Sequence, residues 1–187
     1  MPNFSSVTIS TERLLLRPLE PTDELAMFAL RSNEDVNRYT GNIPLVTVES
    51  AGALIAKDRQ AMRDDLYLRL GMVRLDNDEL IGTCGLFNFD AQCRRAEIGY
   101  DLRPTMWGQG YMREALLDLL QYAFTTLDLN RVEADVDPQN LSSRKALERL
   151  GFQCEGLLRE RWILNGVKAD TAFYGLLSTD WLTRKNK

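Results

Sequence analysis

Trp107-Gly108-Gln109-Gly110-Tyr111-Met112-Arg113-Glu114-Ala115 is the stretch on which the fold turns, because it joins a predicted strand to an amphipathic helix through two closely spaced glycines. Glycine lets the backbone turn tightly and come close to a ligand. The first amides of a helix have no intrahelical partners and can point at phosphate oxygens, so the stretch reads as an anion site. Leu116, Leu119, Leu120, Ala123, Phe124 and Leu127 follow at the spacing of one buried helical face. The preceding strand, Arg94 to Leu102, stops at Arg103-Pro104. The loop therefore lies at the carboxyl end of a strand, where mixed α/β folds commonly hold ligands.

Other phosphate motifs are missing. There is no Gly-x-x-x-x-Gly-Lys-Ser/Thr, and Arg113 stands where a dinucleotide fingerprint after Gly108-x-Gly110 would have its third glycine. A nucleotide-binding module loses most of its support. The 187 residues fit a single domain, with a core over about residues 11–178 and a polar tail, 184–187, expected to fray. The apolar share is 44% and no apolar run is long enough to cross a bilayer. The amino terminus has neither a basic segment nor an apolar core, so the reading is cytoplasmic with no membrane partner.

Cys84, Cys93 and Cys154 are odd in number and form no C-x-x-C, which argues against disulfides or a thiolate metal cage. Histidine is absent, removing His-assisted nucleophilic catalysis and the commonest transition-metal ligand; no metal is expected. With 27 acidic and 23 basic residues the formal charge is −4, unlike a nucleic-acid binder. The acidic clusters Glu34-Asp35, Asp64-Asp65 and Asp76 to Glu79 read as solvated surface, or as an attraction for a cationic acceptor.

Along the chain, Glu12 to Leu19 is a first strand and Pro21-Thr22-Asp23-Glu24 a helix start capped by Thr22, with Leu25, Phe28, Ala29 and Val36 on the inner face. Thr47 caps a second helix carrying Leu54, Ile55 and Met62 inward. From Leu66 the period becomes two, and three antiparallel strands follow through Leu102. Strand Arg131 to Val136, a helix from about Ser142 to Leu150, and strands around Gln153 to Leu164 and Lys168 to Leu177 complete an α/β domain. The prediction is a mixed, mostly antiparallel sheet of about seven strands with about four helices, its central strands splayed where ligand enters.

The set Ala96-Glu97-Ile98-Gly99-Tyr100, then Trp107-Gly-Gln-Gly110-Tyr-Met112-x-Glu114-Ala115, then Asn140-x-x-Ser143 and Leu150-Gly151-Phe152 resembles the GCN5-related N-acetyltransferase (GNAT) family, closest to its RimJ/RimL-like ribosomal-protein N-terminal acetyltransferase branch. The resemblance runs from Thr11 to Leu177. It implies acetyl-CoA as donor and an amine as acceptor, a ribosomal protein's N-terminus among the candidates, and it allows a homodimer. Donor contacts would come from Tyr100, Asp101 and Leu102, from Trp107, Gly108, Gln109, Gly110, Tyr111, Met112 and Arg113, and from Asn140 and Ser143. The broader pattern starts with Gln or Arg and ends with Gly or Ala where this chain has Trp107 and Met112. Leu147 occupies the position of a general-acid tyrosine found in many relatives, and Trp162 that of an acid found in some, whose role parity could shift to Glu160.

Acetyl transfer from a thioester needs a deprotonated amine, an oxyanion stabiliser and a tolerable leaving group. Glu97 is the candidate base, directly or through water, sharing a strand face with Gly99 and Asp101; the alternative is a structural carboxylate paired with Arg13, Arg17 or Arg95. Ser143 is either a donor to the leaving thiolate or a helix cap, and Asn140 either a pantetheine contact or an N-cap. A backbone amide near Tyr100 to Leu102 would hold the oxyanion, with Gly99 marking a strand irregularity. Cys84 reads as a buried, inert thiol, so the amine attacks directly in a ternary complex. An α-amine (pKa about 8) is easier to deprotonate than a lysine amine (about 10.4), which favours a protein N-terminus. The alternatives are a polyamine, amino acid or aminoglycoside, or a non-catalytic acyl-CoA sensor.

Overall fold

The computed structural model describes residues 3–164 and 166–184. Two short strands, β1 (Ile9–Ser10) and β2 (Leu14–Pro18), lead into α1 (Glu24–Arg31), α2 (Glu34–Asn37) and α3 (Val48–Arg63). Strands β3 (Leu68–Arg74), β4 (Leu80–Asp90) and β5 (Arg95–Leu102) precede α4 (Tyr111–Thr125), β6 (Arg131–Val136) and α5 (Leu141–Leu150). The chain closes with β7 (Gln153–Leu164), β8 (Val167–Leu177) and α6 (Ser178–Arg184). The described residues thus hold eight strands in one sheet, ordered β1-β2-β3-β4-β5-β6-β8-β7, rather than about seven, and six α-helices rather than about four. Except for the β5/β6 pair the ladders are antiparallel.

The additional elements are ones that periodicity cannot announce. β1 is two residues long, and α2 is one turn started by the Asn33 side chain, which accepts from the Asp35 and Val36 amides. α6 is held by Trp181, buried against Phe124 with ring centroids 5.9 Å apart. It incorporates Arg184, and the remainder of the expected frayed tail lies outside the described residues.

The start of α1 departs from expectation. A 3-10 turn at Pro21–Asp23 precedes it, the Asp23 carboxylate accepts the Glu20 amide, and Arg17 forks onto Asp23 at 2.7 and 2.9 Å, so Thr22 is not the cap. This phase buries Met27, Leu30 and Arg31 and leaves Leu25 exposed. Thr47 does cap α3, accepting the Ser50 amide. Both faces of the sheet are covered: Leu68, Leu70 and Met72 of β3 join the larger core with α4, while Val73 joins a smaller one with α1 and α3. The acidic clusters are largely spoken for locally: Asp35 by Arg38, Asp76 by Arg74, Asp65 by the Phe4 amide and Glu79 by Arg103.

The sheet changes character at its centre. β5 and β6 run parallel and pair only at Arg95–Arg131, Ala96–Val132 and Glu97–Glu133. β5 continues to Leu102 and β6 to Val136 without further pairing between them, so the expected splay is present. Gly99 is not an irregularity, since it faces Gly85 in register; the shift in this ladder lies between Phe87 and Asp90. Its missing side chain instead admits the Phe87 ring, which a Cβ would meet at 3.0 Å.

Candidate active site

At one end of the splay the glycine turn behaves as its composition requires. Gly108 (φ 74°) and Gly110 (φ 84°) occupy the left-handed region that other L-residues avoid, and Gly110 is the N-cap of α4 without a side-chain cap. The opening amides of α4 therefore remain available for an anion. Arg13 braces the turn from outside: its Nη1 donates to the Gln109 carbonyl at 3.1 Å, its Nε to Glu114 at 2.7 Å, and its guanidinium covers the Tyr111 ring at 4.3 Å. Partial burial pushes the Glu114 carboxyl up, but bonds from the Thr11 hydroxyl and from the Arg13 backbone and side chain together hold it below the usual range. Tyr111 is buried and Met112 packs on the core, while Arg113 is exposed.

Trp107, half exposed, donates its indole N–H to the Leu102 carbonyl at 2.8 Å. The Arg103 amide bonds to the Ile81 carbonyl, so by antiparallel alternation Glu97, Gly99 and Asp101 spend their backbone groups on β4. The same alternation gives the Ile98 amide to Glu133 in the last paired rung and leaves the amides of Tyr100 and Leu102 facing the gap.

Beside this edge lie two hydroxyls that touch. Tyr100 Oη and Ser143 Oγ are 2.8 Å apart, bringing a β5 side chain onto the first turn of α5. Burial pushes the Tyr100 hydroxyl up to about 12, the Ser143 bond opposing it, so it is protonated at neutral pH. Asn140 is the N-cap of α5, accepting the Ser143 amide at 3.0 Å, and Leu147 lines the same space. Tyr100 was expected only as a donor contact. It lines the same cleft as Leu147, the position that lacks a tyrosine.

A cleft of about 410 Å³ opens on the splay and is lined by Tyr100, Asp101, Asn140 and Ser143 among the expected site residues. Glu97, Leu102 and the 107–113 turn are not among its lining. Glu97 is half-buried at the last paired rung, opposite Glu133. The arginines considered as its structural partners are engaged elsewhere, Arg13 with Glu114, Arg17 with Asp23, and Arg95 with Glu133 and Asp90. Glu160 is exposed on β7, ion-paired with Lys168 at 2.7 Å, and is not among the residues lining the cleft.

The acceptor side is made of side chains from distant segments. Asp101 is bound to Arg31 of α1 at 2.5 Å, both nearly buried. Arg69 reaches Asp58 of α3 at 3.4 Å. Tyr39 to Asn42 and the β7 residues Trp162 and Leu164 complete the walls. These two touch: a Cβ on Gly41 would sit 2.5 Å from Leu164 Cδ2. Between Leu158 and Trp162 a bulge carries Glu160 at φ 52°, braced by the Asp170 carboxylate on the Glu160 amide. It re-aims Arg161 toward Asp135 of β6, 3.8 Å away. Neither Asp135 nor Arg161 was singled out by sequence; Glu133-x-Asp135 alternating with buried Val132, Ala134 and Val136 was the available signal.

Cys84 is buried, and burial raises its thiol to about 12, which makes it an inert core residue. Among the described residues no cluster of His, Cys, Asp or Glu could hold a metal ion, and no helix is long and apolar enough to cross a membrane.

The acetyltransferase (GNAT) domain model matches residues 13–153. The chain is 38% identical over 174 residues to the uncharacterized N-acetyltransferase p20 of Bacillus licheniformis, covering 93% of this chain and 98% of that one. It is 30% identical over 112 residues to the ribosomal protein uS5-alanine N-acetyltransferase of Escherichia coli, covering 59% and 58% of the two chains. Its fold superposes on spermidine N-acetyltransferase from Vibrio cholerae, solved with CoA and spermine, at a TM-score of 0.79 and 27% identity, covering 90% and 98%.

Proposed function

The chain belongs to the GNAT acetyltransferase family, an acetyl-CoA-dependent N-acyltransferase acting on an amine, and on that premise we propose that its acceptor is a protein N-terminal α-amine. The whole chain acts as one catalytic unit. The observation that carries the acetyl-transfer chemistry is the parting of β5 from β6 directly beside the Tyr100–Ser143 hydroxyl pair.

Acetyl-CoA supplies a thioester whose carbonyl carbon accepts the amine and whose sulfur departs. The Gly108–Gly110 turn and the first amides of α4 bind the pyrophosphate, with Arg113 adding positive charge. Tyr100 and Leu102 present backbone amides to the gap, where the carbonyl oxygen gains charge. Asn140 spends its Oδ1 on capping α5, leaving its amide nitrogen for pantetheine. The Tyr100 and Ser143 hydroxyls donate a hydrogen bond and then a proton to the leaving sulfur, a modest demand for a thiol of pKa about 8.5. With Cys84 buried, attack is direct. Glu97 contributes from the acceptor face through water.

The finer assignment rests on the disposition of charge. Four aspartates line the cleft, but Asp101 is neutralised by Arg31, while Asp137 and Asp170 accept the Gln139 and Glu160 amides. Asp135 is the one whose oxygens have no hydrogen-bond partner, which suits a single ammonium better than a row of them. The likeness to the uS5-alanine enzyme supports the same reading. The second reading, a polyamine, is favoured by the aspartate count and the likeness to the spermidine enzyme.

Thiol release from acetyl-CoA separates them. Peptides with a free Ser or Ala terminus are expected to react faster than the same peptides blocked there but carrying lysine, and faster than spermidine. Preference for blocked lysine peptides or for spermidine overturns the α-amine assignment.

A further inference from the structure

We propose that Asp135 binds the acceptor's ammonium and takes its proton, so that the direct base stands on β6 rather than at Glu97 on β5. This rests on the acetyltransferase reading. Among the described residues, Asp135 is the one side chain with two buried polar atoms that both lack a hydrogen-bond partner. Burying a carboxylate without partners is expensive, and such a group persists where it has a task. Its nearest cation, Arg161, stands at 3.8 Å, beyond hydrogen-bonding distance.

Register supplies the second argument. Glu97 and Glu133 are the last paired rung, so the next same-face positions across the opening are Gly99 and Asp135. Gly99 has no side chain, and both residues line the cleft. The Phe87 ring lies over Gly99, so the opening beside Asp135 is walled on the β5 side by an aromatic ring and not by a second carboxylate, at the level where the Tyr100 amide turns toward the gap. An amine there lies next to the carboxylate and the acetyl carbonyl together, whereas Glu97 lies one rung deeper, where the strands are still paired. Burial also pushes the Asp135 carboxyl above its usual range, with Arg161 opposing and Glu133 reinforcing, which makes it a better base. Glu133 on its own strand and Arg161 on β7 act on it directly, and the other charged groups lining the cleft are Asp137 just beyond β6, Asp170 on β8, Arg69 on β3, and Asp101 with Arg31.

The proton count closes. An ammonium and acetyl-CoA give an amide, free CoA thiol and one proton. Asp135 takes the proton the ammonium sheds and passes it to solvent. The freed lone pair forms the N–C bond as the C–S bond breaks, the sulfur is protonated by the hydroxyl pair, and the nitrogen's second proton restores that pair.

Asp135→Asn is expected to lower kcat by about 10²-fold at pH 7, with recovery at high pH as the amine deprotonates itself, and to leave acetyl-CoA affinity unchanged. Glu97→Gln is expected to lose less than a tenth as much. Asp135→Asn also removes a buried charge, so its Tm is expected to rise by roughly 2–4 °C at pH 7. A raised folded pKa means the native state loses stability as pH climbs through it, so this gain fades on acidification toward about pH 4. With CoA present, methylammonium is expected to raise the Tm of the wild type and not of Asp135→Asn, which reads the site without turnover. Asp135→Ser carries the same expectations for kcat and methylammonium should the Asn variant fold poorly. Wild-type turnover in a folded Asp135 variant, a larger loss in Glu97→Gln, or an equal methylammonium response in both proteins overturns the assignment. If the wild type transfers acetyl to no amine while methylammonium still discriminates the variants, the acetyltransferase reading fails and the ammonium site stands.

Discussion

On the side proposed for the donor, next to the cleft, the available groups are backbone amides, set by two left-handed glycines in one contiguous turn and braced by Arg13 and Glu114. On the side proposed for the acceptor they are side chains drawn from α1, the 39–42 segment, β5, β6 and β7. A ligand present in every cycle can be held by main chain, which is identical whatever side chains surround it. A ligand that distinguishes one relative from another needs side chains, which can be exchanged. Changes on one side should consequently be felt in the binding of one substrate and not the other.

The hydroxyl pair lies where the two sides meet, and its removal should show the largest effect. Tyr100→Phe with Ser143→Ala is expected to cut kcat by about 10²-fold while leaving both substrates bound. Because the Tyr100 hydroxyl titrates only at about 12, the loss should be flat between pH 6 and 9; a loss that appears only at the alkaline end breaks the assignment. Gly110→Asp comes next. It forces an L-residue to φ 84° and sets a negative charge against the pyrophosphate, losing charge-assisted bonds of about 1.5–3 kcal/mol each. Acetyl-CoA affinity by calorimetry should fall at least tenfold with acceptor KM unchanged, and equal damage to both would erase the contrast. Gly41→Ala should do the reverse and less: at φ 66° and 2.5 Å from Leu164, the new methyl displaces the roof of the acceptor side. A few-fold rise in acceptor KM with donor affinity intact sharpens the comparison. Smallest of all, Cys84→Ala with Cys93→Ser and Cys154→Ser should keep turnover within a small factor and give intersecting initial-rate lines, whereas parallel lines would reveal an acetylated enzyme.

The same contrast explains what could be read in advance. Trp107 to Ala115 was legible because turn, cap and helix are local, and so was the alternation of β3 to β5. Ser143 and Asn140 came through as a pair because a cap is also local, although the partner of Ser143 on β5 did not. For Asp135 the alternation of β6 gave the face but not the setting, because a strand carboxylate acquires meaning only from the neighbour across the gap, and that neighbour, Gly99, is 36 positions earlier in the chain. Glu97 was a sound deduction of face, but parity cannot say how far along a strand its partner departs. The start of α1 shifted phase because Asp23, held by Arg17, outcompeted Thr22 for the first turn. α6 owes its place to one tryptophan packed on a distant helix, a tertiary contact with no local trace.

The chain's three tryptophans stand in three different settings, one touching the donor edge, one in the acceptor wall and one in the core. Each emits according to its own surroundings, so the molecule carries its own optical reporters. Trp107, half exposed with its indole N–H on the Leu102 carbonyl, should change emission when CoA occupies the gap, and Trp162 should respond when an amine arrives. Trp181, 4% exposed against Phe124, should stay silent until the fold opens. Single-tryptophan variants would then allow the order in which the two substrates arrive to be followed in real time by stopped-flow fluorescence, without a label.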